Sequence, residues 1–277
     1  MYTCEYKQQE KKDECGDGRF RSEPLRLFLH GVPGAGKTQT LLWIREFLEQ
    51  VCAWTHGIDF VFLASQNTMA ALIGGYTLHS FHKLAYKQKD GTVATQTDKH
   101  KDISSKYLRY QSLRFMFIDE MNTASLDVLA EIGFNTSTHI RERSTWSLRS
   151  KDYKRPFGGL NVMISGDAWQ FPPVDSGGAT AVFANPLSHQ KSSIERMAAM
   201  FWTKDEDSLN SFCELTKERR CKDVWLSHVL KGARHGNLHD ASYCFLHGFP
   251  TKHPGSWDPI QLRVACGEKT CAELTAL

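Results

Sequence analysis

The chain has 277 residues, a formal net charge of +3, 41% hydrophobic and 23% charged residues. That length supports one or two domains with a sizeable core, and so small a net charge excludes a general polyanion glue. No apolar run approaches the roughly 20 residues that a membrane helix needs, so a membrane partner is not expected.

Residues 1–22 are rich in Lys, Glu, Gln and Asp and lack the apolar centre of a secretory signal. They read as a disordered polar tail. The eight cysteines (Cys4, Cys15, Cys52, Cys213, Cys221, Cys244, Cys266 and Cys271) show no small-domain disulfide rhythm. Reduced thiols and an intracellular location follow.

The first apolar run, Leu25 to His30, reads as a strand and leads directly into Gly31-Val32-Pro33-Gly34-Ala35-Gly36-Lys37-Thr38. Strand, Gly-rich loop and helix in that order predict a phosphate-binding loop, whose amides and helix dipole converge on an anion. Nucleotide contacts are expected from Gly31, Gly34, Ala35, Gly36, Lys37, Thr38 and Gln39. Lys37 would reach the β- and γ-phosphates and act in catalysis, and Thr38 would ligate Mg2+. A Gly-rich turn capping a core helix is the plainer alternative. The next stretch carries Leu41, Ile44, Leu48 and Val51 at helical spacing with Phe47 beside them, one apolar stripe turned to a sheet.

Three further strand-like runs follow: Asp59 to Ala64, Arg114 to Ile118 and Leu160 to Ser165. Strands alternating with helices predict an α/β fold, a parallel sheet flanked by helices. The Gly/Ala-rich stretch Ser176 to Asn185 reads as a loop. Between His82 and Arg114 eight basic residues face three acidic ones, and Arg141 to Arg155 holds six against two. Tyr86, Tyr107, Tyr110, Trp146 and Tyr153 interleave with them. Cations for phosphates and rings for bases suit a single strand, although solvated surface is the plainer reading.

Four apolar residues, Phe115 to Ile118, end in Asp119-Glu120. After a phosphate loop this is a Walker B pattern rather than the helix-capping or surface pair that a lone Asp-Glu usually is: Asp119 would hold the metal, directly or through water, and Glu120 would orient and deprotonate the attacking water. The second carboxylate favours hydrolysis over phosphoryl transfer to a substrate hydroxyl.

The third cluster, Gly158 to Val174, ends in Gly166-Asp167-Ala168-Trp169-Gln170-Phe171-Pro172-Pro173-Val174 and completes a distinctive order. Here the chain resembles the Pif-type DNA helicases of superfamily 1B, including the helicase part of Helitron transposons. Ala70 to Phe81 is similar to that family's motif Ia, Glu214 to Arg220 to its motif IV, and Gly236-Asn237-Leu238 with Phe245 to Gly248 to the Helitron-like branch.

The resemblance implies a RecA-like P-loop NTPase with a first lobe over 23–208 and an incomplete second lobe over 209–277. It implies ATP and Mg2+ as cofactors, single-stranded DNA as partner and five-prime to three-prime helicase chemistry. Gln170 would contact the γ-phosphate, and Arg220 would be an arginine finger, with Arg219 the alternative. Thr77 and His79 would lie along the DNA strand, although a lone His such as His79 can equally be a packing residue.

Family members commonly carry Thr-Gly where this chain has Asn67-Thr68, Ser where it has Asn122, and Gln where it has Cys221. Motifs V and VI are not found before Leu277, so unwinding by this chain alone is not expected. A degenerate nucleotide- and strand-binding remnant is the alternative to the motor. The family's work in DNA repair, recombination and telomere maintenance implies a nuclear place. Cys266 and Cys271 have a permitted zinc spacing, but free thiols are the expected state.

Overall fold

A computed structural model describes residues 23–84, 108–140, 147–150, 153–170, 173, 181–182, 192–237 and 242. The expected polar tail, most of both basic segments, and Cys266 and Cys271 lie outside the described residues. The chain divides into two compact units, Met1–Glu218 and Arg219–Leu277.

In the first unit the strands are β1 (Arg26–Gly31), β2 (Phe60–Ala64), β3 (Tyr76–Thr77), β4 (Phe115–Asp119), β7 (Asn161–Gly166) and β8 (Ser211–Leu215). They form one six-stranded sheet in the order β3-β2-β4-β7-β1-β8, with every pairing parallel. A separate antiparallel pair joins β5 (Leu148–Ser150) to β6 (Tyr153–Lys154). The four expected strands are all present, each shifted by about one residue toward its polar end.

Helices cover both faces of the sheet because the strand residues alternate between two cores. Val61, Leu63, Met116, Ile118, Val162 and Ile164 turn to one face, where they meet α4 (Leu126–His139) and α5 (Ser192–Trp202). Phe60, Phe62, Phe115, Phe117 and Met163 turn to the other, with Leu41 and Leu48 from α1 (Lys37–Glu46) and the π-helical turn Phe47–Val51. Such double-sided burial explains why these strands read as continuous apolar runs. Two short helices, α2 (Asn67–Leu72) and α3 (Leu78–His82), flank β3.

Two expectations are corrected. Val51 is 69% exposed and Phe47 45% exposed: Phe47 lies to one side of the Leu41, Ile44 and Leu48 stripe by α-helical spacing, and the π-helical turn over Phe47–Val51 rotates less per residue, so Val51 lags behind that stripe. The lobe boundary expected at 208 falls further on. β8 pairs with β1 from Leu27↔Ser211 to Gly31↔Leu215. Arg26 ties the approach to β8 to the sheet by donating from Nε to the Ser208 carbonyl at 2.8 Å and from Nη2 to the Glu206 carbonyl at 2.7 Å. Asn210 accepts from the Arg26 amide at 2.8 Å. Residues 209–218 therefore belong to the first unit. In the second, α6 (Val224–Arg234) is capped by Asp223, whose side chain accepts from the Leu226 amide.

Candidate nucleotide site and its strand-end motifs

β1, β4 and β7 are neighbours in the sheet and run parallel, so their polar carboxyl ends collect at one edge, where ligands of open α/β sheets bind. The loop after β1 is set by two glycines in left-handed conformations, Gly34 at φ 80° and Gly36 at φ 102°. Gly36 is the N-cap of α1, and a side chain there would cost about 1–2 kcal/mol. The helix N-terminus thus follows the loop without a break, the arrangement by which first-turn amides can meet an anion.

Lys37 is 6% exposed. Its Nζ donates to the Gly31 carbonyl at 2.7 Å and lies 3.4 Å from that of Val32, so the ammonium is held inside the loop. Thr38 donates from Oγ1 to Asp119 Oδ2 at 3.4 Å, which joins the expected pair of metal-binding side chains across 81 positions of sequence. Gln39, the last expected contact, is exposed. Arg45 anchors the far end of α1, donating to the carbonyls of Ile73 at 2.9 Å and Gly74 at 2.8 Å.

Asp119 is 2% exposed. Its Oδ1 accepts from the Ser165 hydroxyl and from the Glu120 amide at 3.0 Å. Three donors, counting Thr38, offset the cost of burying a carboxylate. Glu120 sits at φ 52° and ψ 49°, a left-handed conformation of the kind that concentrates at active sites. The next residues, Met121–Thr123, form a single 3-10 turn. Thr123 Oγ1 donates to the Glu120 carbonyl at 2.8 Å and is hydrogen-bonded to Ser65 at the end of β2.

Gln170 is brought to the same edge. Asp167 is fully buried and shapes the turn after β7: its Oδ1 accepts from the Trp169 amide at 3.1 Å, and its carbonyl accepts from the Gln170 amide at 3.2 Å. Gln170 Oε1 then accepts from Asn122 Nδ2 at 3.1 Å. His30, on β1, lies 3.6 Å from Asp167 and 3.4 Å from Glu214.

The structure therefore brings Lys37, Thr38, Asp119, Glu120 and Gln170 together at the ends of three adjacent strands. Ser165 and the Ser65–Thr123 pair were not among the expected residues, and Asn122 was noted only as a departure from the family pattern. The signal for Ser165 was its polar side chain closing an apolar strand; the other links are pairings across strands with no sequence signature.

The chain matches the family model described as PIF1-like helicase over residues 5–240. The chain belongs to the PIF1-like helicase family. The uncharacterized protein 030L of Invertebrate iridescent virus 6 is 28% identical over 214 residues, 76% of this chain and 36% of that protein. The ATP-dependent DNA helicase PIF1 of Candida albicans is 29% identical over 150 residues, 54% of this chain and 15% of that one. The human ATP-dependent DNA helicase PIF1 is 23% identical over 211 residues, 76% of this chain and 30% of that one. The crystal structure of the Candida albicans Pif1 helicase superposes with a TM-score of 0.53 at 22% identity, covering 89% of this chain and 48% of that one. It shares the RecA-like α/β fold. The chain spans less than half the length of these relatives.

Of the remaining expected residues, two lie at or just after the end of β3 and two in the second unit. Thr77 ends β3 and caps α3, its Oγ1 accepting from the Ser80 amide at 3.2 Å, while His79 is half-buried in that helix. Arg219 and Arg220 are exposed and belong to the second unit. Tyr110 is corrected. It is fully buried, its hydroxyl 2.5 Å from His82 Nδ1, so it cannot stack on a base. Arg109 lies over the Phe81 ring at 5.0 Å and bonds to the Phe81 carbonyl. Among the described residues no helix is long and apolar enough to cross a membrane, and no cluster of His, Cys, Asp and Glu has the make-up of a metal site.

Proposed function

We propose that the chain carries the ATP-hydrolysing motor of a five-prime to three-prime DNA helicase, with turnover coupled to single-stranded DNA. The observation that carries this reading is the Thr38–Asp119 contact at 3.4 Å, with Glu120 next in sequence and Gln170 held from the same turn through Asn122. Relatives named ATP-dependent DNA helicases support it.

The donor set fits a magnesium nucleotide. A hydroxyl and a carboxylate, both hard oxygen ligands, face each other at the mouth of a glycine loop, which is the chemistry magnesium selects. Thr38 and Asp119 would hold the ion, and the loop amides of Gly34 to Thr38 with the Lys37 ammonium would hold the phosphates. When bound, magnesium neutralises charge developing on the phosphoryl oxygens.

Glu120 acts as base toward the attacking water, Gln170 donates toward the terminal phosphate, and Arg220 is the candidate arginine finger. Thr77 and His79 are the proposed contacts to the strand. The Thr77 oxygen that caps α3 keeps its hydroxyl proton for a phosphate oxygen.

The experiment is phosphate release from Mg-ATP by the full chain, with and without a thymidine oligonucleotide. Stimulation by the oligonucleotide, lost in Lys37→Ala, is expected. Equal release by wild type and Lys37→Ala would overturn the reading.

A further inference from the structure

We infer that Asn122 is a positioning residue: it decides which end of the Gln170 carboxamide faces the nucleotide. This rests on the reading above, in which Gln170 meets the terminal phosphate. A carboxamide has a donor end and an acceptor end, and a phosphate oxygen accepts only the donor. Asn122 Nδ2 donates to Gln170 Oε1 at 3.1 Å, which occupies the acceptor end and leaves Nε2 as the end turned toward the site. Without that partner the amide can rotate, and in half of its orientations it presents an oxygen to an anion.

The surroundings hold Asn122 in place. It is 4% exposed, next to Met121, which is fully buried. The turn carrying both is fixed by two bonds to the Glu120 carbonyl, from Thr123 Oγ1 at 2.8 Å and from the Thr123 amide at 3.1 Å. Across from it stands Gly166, where a Cβ would come 2.8 Å from Met121 Cγ and 3.3 Å from Asn122 Oδ1. The glycine that opens the third motif therefore makes room for the turn that opens out from the second. The same turn also bonds to Ser65, so Asn122 belongs to a segment tied to three strand ends.

The test uses the full chain with Asn122→Ala, Gln170→Ala, both together, and Asn122→Asp. Turnover is measured beside the affinities for ADP and for an imido-linked ATP analogue, each with magnesium. Asn122→Ala is expected to lower turnover about tenfold, the order of effect found for residues that orient a ligating side chain. It should lower analogue affinity and leave ADP affinity unchanged, because ADP lacks the phosphate that Gln170 meets. The double variant should be no worse than Gln170→Ala, since both changes remove one interaction.

Asn122→Asp keeps the shape but cannot donate when ionised, so its turnover relative to wild type should recover as the pH falls. It carries the test should Asn122→Ala not fold. Independent, additive losses from the two alanines, or equal loss of ADP and analogue affinity, would overturn the role. A wild-type chain without turnover would sink the hydrolase reading instead, and the analogue-to-ADP comparison would still decide on Asn122.

Discussion

Replacing Glu120 with glycine should make the protein more stable while destroying turnover. Glu120 lies at φ 52° and ψ 49°, where a residue with a Cβ costs about 1–2 kcal/mol. Glycine removes that cost but adds about 0.5–1 kcal/mol of unfolded-state entropy. The net gain is about 0–1.5 kcal/mol, which in a unit of this size raises Tm by up to about 6 °C. Glu120→Gln deletes the same charge and keeps the Cβ, so it serves as the reference: the difference between the two variants reports the backbone alone. Both should lose about 10²- to 10⁴-fold in phosphate release, the range attributed to a positioned general base. The assay is thermal unfolding by circular dichroism together with phosphate release. A glycine variant melting below the glutamine variant would refute the strain at position 120. Turnover retained by both would remove the base from its role.

Asp119→Asn should abolish magnesium-dependent turnover, because the amide replaces the oxygen that Thr38 addresses; titration of turnover with magnesium checks this. Tyr110→Phe should cost about 1–3 kcal/mol in urea unfolding by leaving His82 without its hydroxyl partner, with oligonucleotide affinity unchanged, since the ring is fully buried. His56 should make the fold acid-sensitive. Its pKa is lowered from 6.5 to about 4, chiefly by burial and secondarily by Arg45, and its Nε2 accepts from the Phe62 amide at 3.1 Å. The unfolded chain therefore binds the proton more readily, so stability present above pH 6.5 is lost as the pH falls toward 4. After discounting for solvent screening the loss is about 1–2 kcal/mol; His56→Gln should flatten that part of the pH–stability curve.

The central strands were legible because burial on both faces writes them as unbroken apolar runs bounded by polar ends, as in Phe115 to Asp119. β8 was placed in the wrong lobe for the opposite reason. It is an edge strand whose residues are half-buried or exposed, and its membership rests on backbone pairing with β1 and on Arg26 and Asn210. Tyr110 misled because an aromatic ring among basic residues has the same composition on a surface as in a core. Its partner, His82, is 28 positions away. The glycine loop and the Asp-Glu pair stand out in the sequence because each is contiguous. Ser165 against Asp119 and Asn122 against Gln170 became visible only once β4 and β7 were side by side.

That adjacency also explains why the second motif, not the first, organises the site. β4 lies between β2 and β7 in the sheet, so the turn after it touches strand ends on both sides. Asp119 reaches Thr38 and Ser165, Asn122 reaches Gln170, and Thr123 reaches Ser65. The loop after β1 has fewer such options: its lysine is held by the loop's own carbonyls. On the proposed reading, the two side chains that meet the terminal phosphates, Thr38 and Gln170, both bond to the end of β4 or to the turn after it. That turn bonds through side chains to Ser65, which follows β2, and β2 pairs with β3, which ends at Thr77 opposite Ala64.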